Sequence, residues 1–239
     1  MTAVIAPART GDAVLLRLPG AAWRALPWLA ACGAGITLAV VVALWITAWT
    51  PVLAPPVGAL LASPFLAWAV DAVHRQLFDE QTAVSHRRRL LAAAIGCVAP
   101  AALAAWSTIV AGLADTSMAW PLQVLAVAAV VAAAVCAAVG VVAVPLAAIR
   151  ADAALRSVAA LSFIAVVRRP LGALAALACT AAVVWLGLSW FAGLLVLAGP
   201  VLVVLMVGAA WTTVVSAGVD LPALAVLRPR TRTSPGEEE

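Results

Sequence analysis

Charged side chains are scarce in this chain, and all of the positively charged ones are arginines. Charged residues make up 10% of the 239 residues and hydrophobic residues 66%, whereas soluble globular domains are about 25% charged and about 45–50% apolar. A soluble fold could not cover so much apolar surface. The apolar residues also form separate runs close to the ~20 residues that cross a bilayer as a helix. We therefore predict an integral membrane protein.

Motifs that carry catalysis or nucleotide binding are also missing. The sequence has no glycine-rich phosphate loop, no nucleophile elbow and no HExxH motif. Cys32, Cys97, Cys136 and Cys179 lie inside predicted spans without metal-ligand spacing, so we expect them to behave as small apolar residues. Proton relays and ion-coupled transport usually need an ionisable residue at the middle of a span, and none is found there. We expect no enzyme activity, no cofactor and no metal.

Six apolar runs predict an all-α bundle of six transmembrane helices. They cover residues 28–49, 53–71, 90–112, 120–147, 171–190 and 194–217. The second run contains Pro55, Pro56 and Pro64, so it either crosses as a kinked helix or turns back within the membrane. Residues 149–169 predict a further helix at the cytoplasmic interface between spans 4 and 5, where Asp152 and Arg156 form a supporting i,i+4 pair.

The chain divides into one transmembrane domain, residues 28–217, and two flanking segments. Segment 1–27 lacks the apolar core and cleavage site of a secretory signal, so we expect it to be retained in the cytoplasm. Residues 218–239 end in three glutamates and lack apolar periodicity. This pattern predicts a disordered cytoplasmic tail.

The arginines predict the orientation of the bundle. All of them lie before span 1, between spans 2 and 3, between spans 4 and 5, or after span 6. Cytoplasmic connections carry such an excess of positive charge, so we predict that both termini are cytoplasmic. The same rule explains the net charge of +4 without nucleic acid as a partner. Trp45, Trp49, Trp120 and Trp190 lie at the opposite ends of their spans, as interfacial tryptophans do.

Several charged residues lie at the predicted cytoplasmic rim. No metal-binding spacing exists among Asp71, His74, Asp79, Glu80, His86 and the arginines Arg87, Arg88 and Arg89, and we expect this group to form a solvated face. The arginines of this rim either serve only as a topology signal or also contact anionic lipid or a partner. The candidates for that contact are Arg87, Arg88, Arg89, Arg150, Arg156, Arg168 and Arg169.

Small residues recur at every fourth position in two spans. They are Ala31, Gly35, Ala39 and Ala43 in span 1, and Ala128, Ala132, Cys136 and Gly140 in span 4. Such stripes let helix backbones approach closely in lipid. They predict helix packing, either inside this chain or against another membrane subunit.

Hydroxyl groups are the other polar feature of the predicted spans. We expect most of them to bond their own helix or a neighbouring one rather than to line a substrate path. The residues are Thr37, Thr47, Ser63, Ser107, Thr108, Thr180, Ser189, Thr212, Thr213 and Ser216.

Three stretches resemble the YesL-like family of bacterial integral membrane proteins. They are the proline hairpin LWITAWTPVLAPPVGALL, the basic entry HRRRLLAAA, and VPLAAIRADAALRSVAALSFIAVVRRPLGALAAL, in which an inner helix leads into Arg-Arg-Pro. The family has no assigned activity, and its genes commonly neighbour carbohydrate ABC importers. The resemblance implies a multi-pass protein of the bacterial cytoplasmic membrane that contacts ABC transporter permease subunits.

Three functions remain open at the level of sequence. The first is a non-catalytic accessory or scaffold subunit of a carbohydrate-type transporter, which the missing active-site residues and the resemblance favour. The second is an autonomous small-solute permease or channel, and the third is a lipid-facing membrane enzyme. Solute, partner and oligomeric state are not encoded in any motif of this chain.

The orientation can be tested with reporter fusions. Fusions after Arg89, Arg169 and Arg232 should report a cytoplasmic location, and fusions at Asp115 and Ala192 an external one, because arginine-rich connections stay inside. A cytoplasmic signal at Asp115 would contradict the six-span topology.

Overall fold

The described part of the chain is built almost entirely from helices. A computed structural model describes residues 7–77, 85–117, 120–149, 153–190 and 195–216. Within these ranges the helices are α1 (Pro7–Thr47), α2 (Ala54–Leu77), α3 (His86–Ser117), α4 (Trp120–Ile149), α5 (Leu155–Arg168), α6 (Leu171–Ser189) and α7 (Leu195–Ser216). The predicted tail 218–239, Arg150, Asp152 and residues 191–193 lie outside the described residues.

Six of these helices are long and apolar enough to cross a bilayer. The membrane-length segments are Leu16–Thr47, Ala54–Leu77, His86–Asp115, Trp120–Ile149, Leu171–Ser189 and Val196–Thr213. α5 is the exception, because its 14 residues reach only about 21 Å at the rise of an α-helix. The predicted all-α architecture of six spans with a short helix between spans 4 and 5 is therefore confirmed, and the chain is a multi-pass integral membrane protein.

Neighbouring spans pack against one another in antiparallel pairs. α3 and α4 make the most extensive contact, followed by α1 with α2, α1 with α7, α2 with α3, and α6 with α7. α5 lies mainly against α4. We call the end of the bundle that holds the start of α3 and the end of α2 the arginine-bearing end, since Arg24, Arg75, Arg88 and Arg169 lie there.

Each of α1 to α4 extends beyond its predicted limits, α1 by the most residues. α1 begins at Pro7 rather than at residue 28, and it runs through Pro19 and Pro27. Its early part is held by the bundle, because Ala21 and Ala25 are fully buried. α2 is one continuous helix of 24 residues that contains Pro64, which gives a length of about 36 Å. That length exceeds the ~30 Å hydrocarbon core, so α2 crosses the membrane and does not turn back.

Glycines permit the closest approaches between helices. A Cβ atom added to Gly140 on α4 would lie 2.9 Å from the carbonyl oxygen of Gly96 on α3. A Cβ atom added to Gly199 on α7 would lie 2.9 Å from the Cα atom of Gly33 on α1. On α1, Gly35 faces the ring of Phe65 on α2. These pairs let backbones touch, which is how spans associate where lipid is as apolar as the side chains.

The two predicted small-residue stripes are only partly turned inward. In the first stripe, Gly35 and Ala43 contact α2 and Ala39 is buried, whereas Ala31 is exposed. In the second, Gly140 is buried, Ala132 and Cys136 are half-buried, and Ala128 is exposed. The helices are nevertheless packed at these points, because Cys32 and Ala129, next to the exposed members, are buried.

Replacing Gly140 by leucine should destabilise the bundle. The side chain would meet the backbone of Gly96, which cannot rotate away as a flexible side chain could. We expect a lower melting temperature in detergent, followed by circular dichroism. Gly112→Leu is the matched control, because a Cβ atom there meets nothing within 4 Å. Equal melting temperatures for the two variants would show that the α3–α4 contact does not depend on this close approach.

Candidate functional site

Charged residues from two helices form a cluster at the arginine-bearing end. Asp71 and Arg75 lie one turn apart on α2, so their side chains share a face, and Arg75 Nη2 lies 2.7 Å from Asp71 Oδ2. Arg89, in the first turn of α3, pairs with the other carboxylate oxygen of Asp71. The antiparallel arrangement of α2 and α3 therefore places one carboxylate between two guanidinium groups.

The pair between Asp71 and Arg89 is largely withdrawn from solvent. The Asp71 side chain is 13% exposed and that of Arg89 is 10% exposed, whereas Arg75 is 63% exposed. Taking charges out of water costs several kcal/mol per ion unless each is paired. Here the opposite charge on the neighbouring helix compensates that cost. The pair thus joins α2 to α3, and Arg75 adds a surface contact.

His74 lies beside this pair and is also buried. It is only 3% exposed and follows Asp71 by three residues on α2. The expectation of a solvated face is therefore wrong for Asp71, His74 and Arg89, although His86 and Arg87 are exposed. The reason is that charge compensation between α2 and α3 permits burial. Asp79 and Glu80 lie outside the described residues.

Aromatic rings border the cluster on its outer side. The rings of Trp68 and His86 stack with centroids 6.3 Å apart and planes at 19°. Phe65 meets Trp68 edge-on at 5.8 Å. A small cavity of about 370 Å³ lies next to them and is lined by Trp28, Trp68, Asp71, Ala72, Arg75 and Gln76. The stack joins α2 to α3 a second time, beside the ion pair.

Two further arginines tie this end of the bundle together. Arg24 Nη2 on α1 donates to the carbonyl oxygen of Gln76 at 3.3 Å. Arg88 Nη2 on α3 donates to the carbonyl oxygen of Ala153, just before α5. Gln76 lies in the last turn of α2, where carbonyl groups lack partners within the helix, and Ala153 lies in the connection before α5. These arginines hold α1, α2, α3 and the start of α5 in one arrangement.

The seven predicted contact arginines therefore divide into two groups. Arg88 and Arg89 make contacts inside the protein. Arg87, Arg156, Arg168 and Arg169 are exposed at the arginine-bearing end. Arg150 lies outside the described residues. The surface that a lipid headgroup or partner could reach is thus carried by four of them, three of which belong to α5 or to the residue after it.

An apolar cleft of about 490 Å³ lies between α3, α4 and α5. Gly96, Ala99 and Pro100 line it on α3, and Cys136, Gly140 and Ala147 on α4. α5 closes one side with Leu155, Val158, Ala159, Ala160 and Phe163. The cleft exists because small residues on α3 and α4 leave room beneath α5. Its volume is within the ~300–1,000 Å³ range of small-molecule sites.

A more polar cavity of about 620 Å³ lies where α6 begins. It is lined by Arg168, Arg169, Pro170, Leu171, Gly172, Thr212 and Thr213. The Thr212 hydroxyl donates to the carbonyl oxygen of Gly208 at 2.9 Å. This side chain is therefore already engaged by its own helix, and the two arginines supply the exposed charge of the cavity.

Most of the hydroxyl groups in the spans bond their own helices, as expected from the sequence. Each donates to a carbonyl oxygen three or four residues earlier, which satisfies the hydroxyl within lipid. The residues are Thr37, Thr47, Ser63, Ser107, Thr108, Thr180 and Thr212. Within the described ranges, no three His, Cys, Asp or Glu residues are grouped so as to hold a metal ion.

Sequence reasoning missed both the cleft and the ion pair between helices. The signal for the pair was present, since an acidic residue near the end of one span preceded an arginine run at the start of the next. The cleft had no comparable signal, because it depends on where α5 lies over α3 and α4.

Comparisons with protein-family models, with curated proteins and with solved structures give no match. The resemblance to the YesL-like family stays a prediction.

The ion pair can be tested by comparing two arginine variants that remove different partners of the same carboxylate. Arg89→Gln should destabilise the protein by about 3–5 kcal/mol, because it leaves the Asp71 charge without its buried partner. Arg75→Gln removes an exposed partner and should cost about 1 kcal/mol or less. Thermal unfolding of both variants in the same detergent provides the measurement. Similar losses would contradict the central role of Arg89.

Proposed function

We propose that this protein is a non-catalytic accessory or scaffold subunit of a larger membrane complex, associated with a carbohydrate-type transporter. The observation that carries the proposal is how the polar groups are used. Asp71 is compensated by Arg75 and Arg89, and Arg88 and Arg24 bind backbone oxygens. These groups serve to hold helices together.

Transport by this chain alone would need a different use of polar groups. A permease offers its solute polar or charged side chains near the middle of the membrane. The hydroxyls of the described spans mostly bond their own helices, and the charged cluster lies at one end. The proposal of an accessory role is supported by this distribution, and the association with a transporter by the resemblance to the YesL-like family.

The exposed arginines are where we expect a partner to bind. Arg87, Arg156, Arg168 and Arg169 carry positive charge at one end of the bundle, and charged surfaces guide docking and fix orientation. The expected partner is the pair of membrane-spanning subunits of an ABC importer, and the contact would be made on the side of the membrane that holds the arginines.

Reconstitution tests whether the chain transports by itself. Purified wild-type protein in liposomes should give no sugar or ion flux above that of empty vesicles, because its polar groups are used within the fold. Gly140→Leu liposomes serve as a control for leakage caused by a disturbed bundle. Saturable flux from the wild-type protein would overturn the accessory role and favour a permease.

Purification from a native host tests the partner. The tagged wild-type protein should co-purify with ABC importer permease subunits, identified by mass spectrometry. The double variant Arg168→Gln/Arg169→Gln should lose them, whereas Arg75→Gln, which removes an exposed charge from the α2 side, should retain them. Retention of the importer by the double variant would show that these two arginines are not the contact.

A further inference from the structure

We infer that the cleft between α3, α4 and α5 is a binding site for one phospholipid with an anionic headgroup, whose acyl chain lies in the cleft. This inference is independent of any association with a transporter. It depends on the length of the cleft, on its apolar walls and on the arginines that continue two of those walls.

The cleft occupies only one half of the membrane. On α4 its lining runs from Ala147, near the arginine-bearing end, to Val135, close to the midpoint of the span Trp120–Ile149. On α3 it runs from Ala92 to Pro100, again from that end to the midpoint of the span His86–Asp115. The distance from residue 147 to residue 135 is about 18 Å along the helix, which is close to half of the ~30 Å hydrocarbon core. The cleft therefore matches the depth of one lipid leaflet.

That depth favours an acyl chain over a partner helix. A transmembrane helix from another subunit would need a groove through both leaflets, about 30 Å long. The edges of the cleft are accessible from the surrounding lipid, because Ile95 is 55% exposed and Phe163 is 49% exposed. Its floor is closed, with Ala147 and Val158 at 0% and 2% exposure. A lipid of the adjoining leaflet could thus enter sideways without crossing a polar barrier.

Arginines lie at the outer end of two cleft walls. On α5, Arg156 precedes Ala159, Ala160 and Phe163 by three, four and seven residues, so it shares the helix face that lines the cleft. On α3, Arg88 precedes Ala92 and Ile95 by four and seven residues, so it too continues the lining face.

The structure holds these two walls together at the arginine-bearing end. Arg88 donates to the carbonyl oxygen of Ala153, which lies three residues before Arg156. Arg88 therefore fixes the start of α5, and the exposed guanidinium group of Arg156 lies near the mouth of the cleft in the headgroup layer. Guanidinium groups bind phosphate strongly through parallel N–H donors, so the charge of this mouth complements an anionic phospholipid.

Native mass spectrometry of the full-length protein tests the site. Delipidated protein is mixed with equal amounts of dioleoyl phosphatidylglycerol, which is anionic, and dioleoyl phosphatidylethanolamine, which is zwitterionic. The wild-type protein should retain one phosphatidylglycerol in preference. Arg156→Gln should weaken that retention about fivefold, which corresponds to the ~1 kcal/mol of one arginine near a headgroup. Arg75→Gln is the matched control, because Arg75 is exposed on α2 and does not line the cleft, and it should leave retention unchanged.

A second pair of variants tests the position of the acyl chain. Ala99→Leu fills the deep end of the cleft and should lower the retention of both lipids, whereas Ala102→Leu adds the same side chain outside it. Melting temperatures are compared with the wild type. If Ala99→Leu proves unstable, Ala160→Leu fills the cleft from α5 instead. The proposal would be overturned if the cleft-filling variant and Ala102→Leu retained the lipids equally. Equal effects of Arg156→Gln and Arg75→Gln on retention would also overturn it.

Discussion

Close backbone contact between spans is the constraint on which the rest of this structure depends. An apolar side chain gains little by leaving lipid for another helix, so association within the membrane needs packing that lipid cannot match. The Gly96–Gly140 contact supplies it between α3 and α4, and the Gly33–Gly199 contact between α1 and α7. The same small residues leave space below α5, which is why the cleft lies beside the most extensive contact in the bundle.

Charge has a different role from packing, and the ion pairs of the described helices lie at the arginine-bearing end. Asp71 and Arg89 can be withdrawn from water because each compensates the other, and His74 is buried beside them. The positive-inside rule treats these arginines as a topology signal. Some of them, such as Arg89, also hold helices together. An orientation signal and a structural contact are combined in the same arginine run at the start of α3.

The spans could be predicted from the sequence because long runs of apolar residues mark them. The hydrogen bonds of the hydroxyl groups could also be predicted, because Thr37 and Thr180 each donate to a carbonyl oxygen of their own helix, which does not depend on the tertiary structure. Burial of Asp71 could not be predicted in this way, because it depends on a partner 18 residues later on another helix. The early start of α1 was hidden by Arg17 and Arg24, whose charges interrupt the apolar run although the helix continues through both. The cleft depends on where α5 lies over α3 and α4. Apolar periodicity predicts that this segment is a helix, but it does not predict where the helix packs.

The length of α1 has a consequence for how the protein sits in membranes of different thickness. Its apolar segment Leu16–Thr47 has 32 residues and measures about 48 Å, which is well above the ~30 Å hydrocarbon core. Tilting by the 0–40° that spans commonly show cannot absorb the whole excess. One end of α1 must therefore emerge from the hydrocarbon, and the end that carries Arg17, Trp23 and Arg24 is suited to the headgroup layer. A thicker bilayer would draw more of this end inward, so α1 can accommodate hydrophobic mismatch while the shorter α6 and α7 keep their depth.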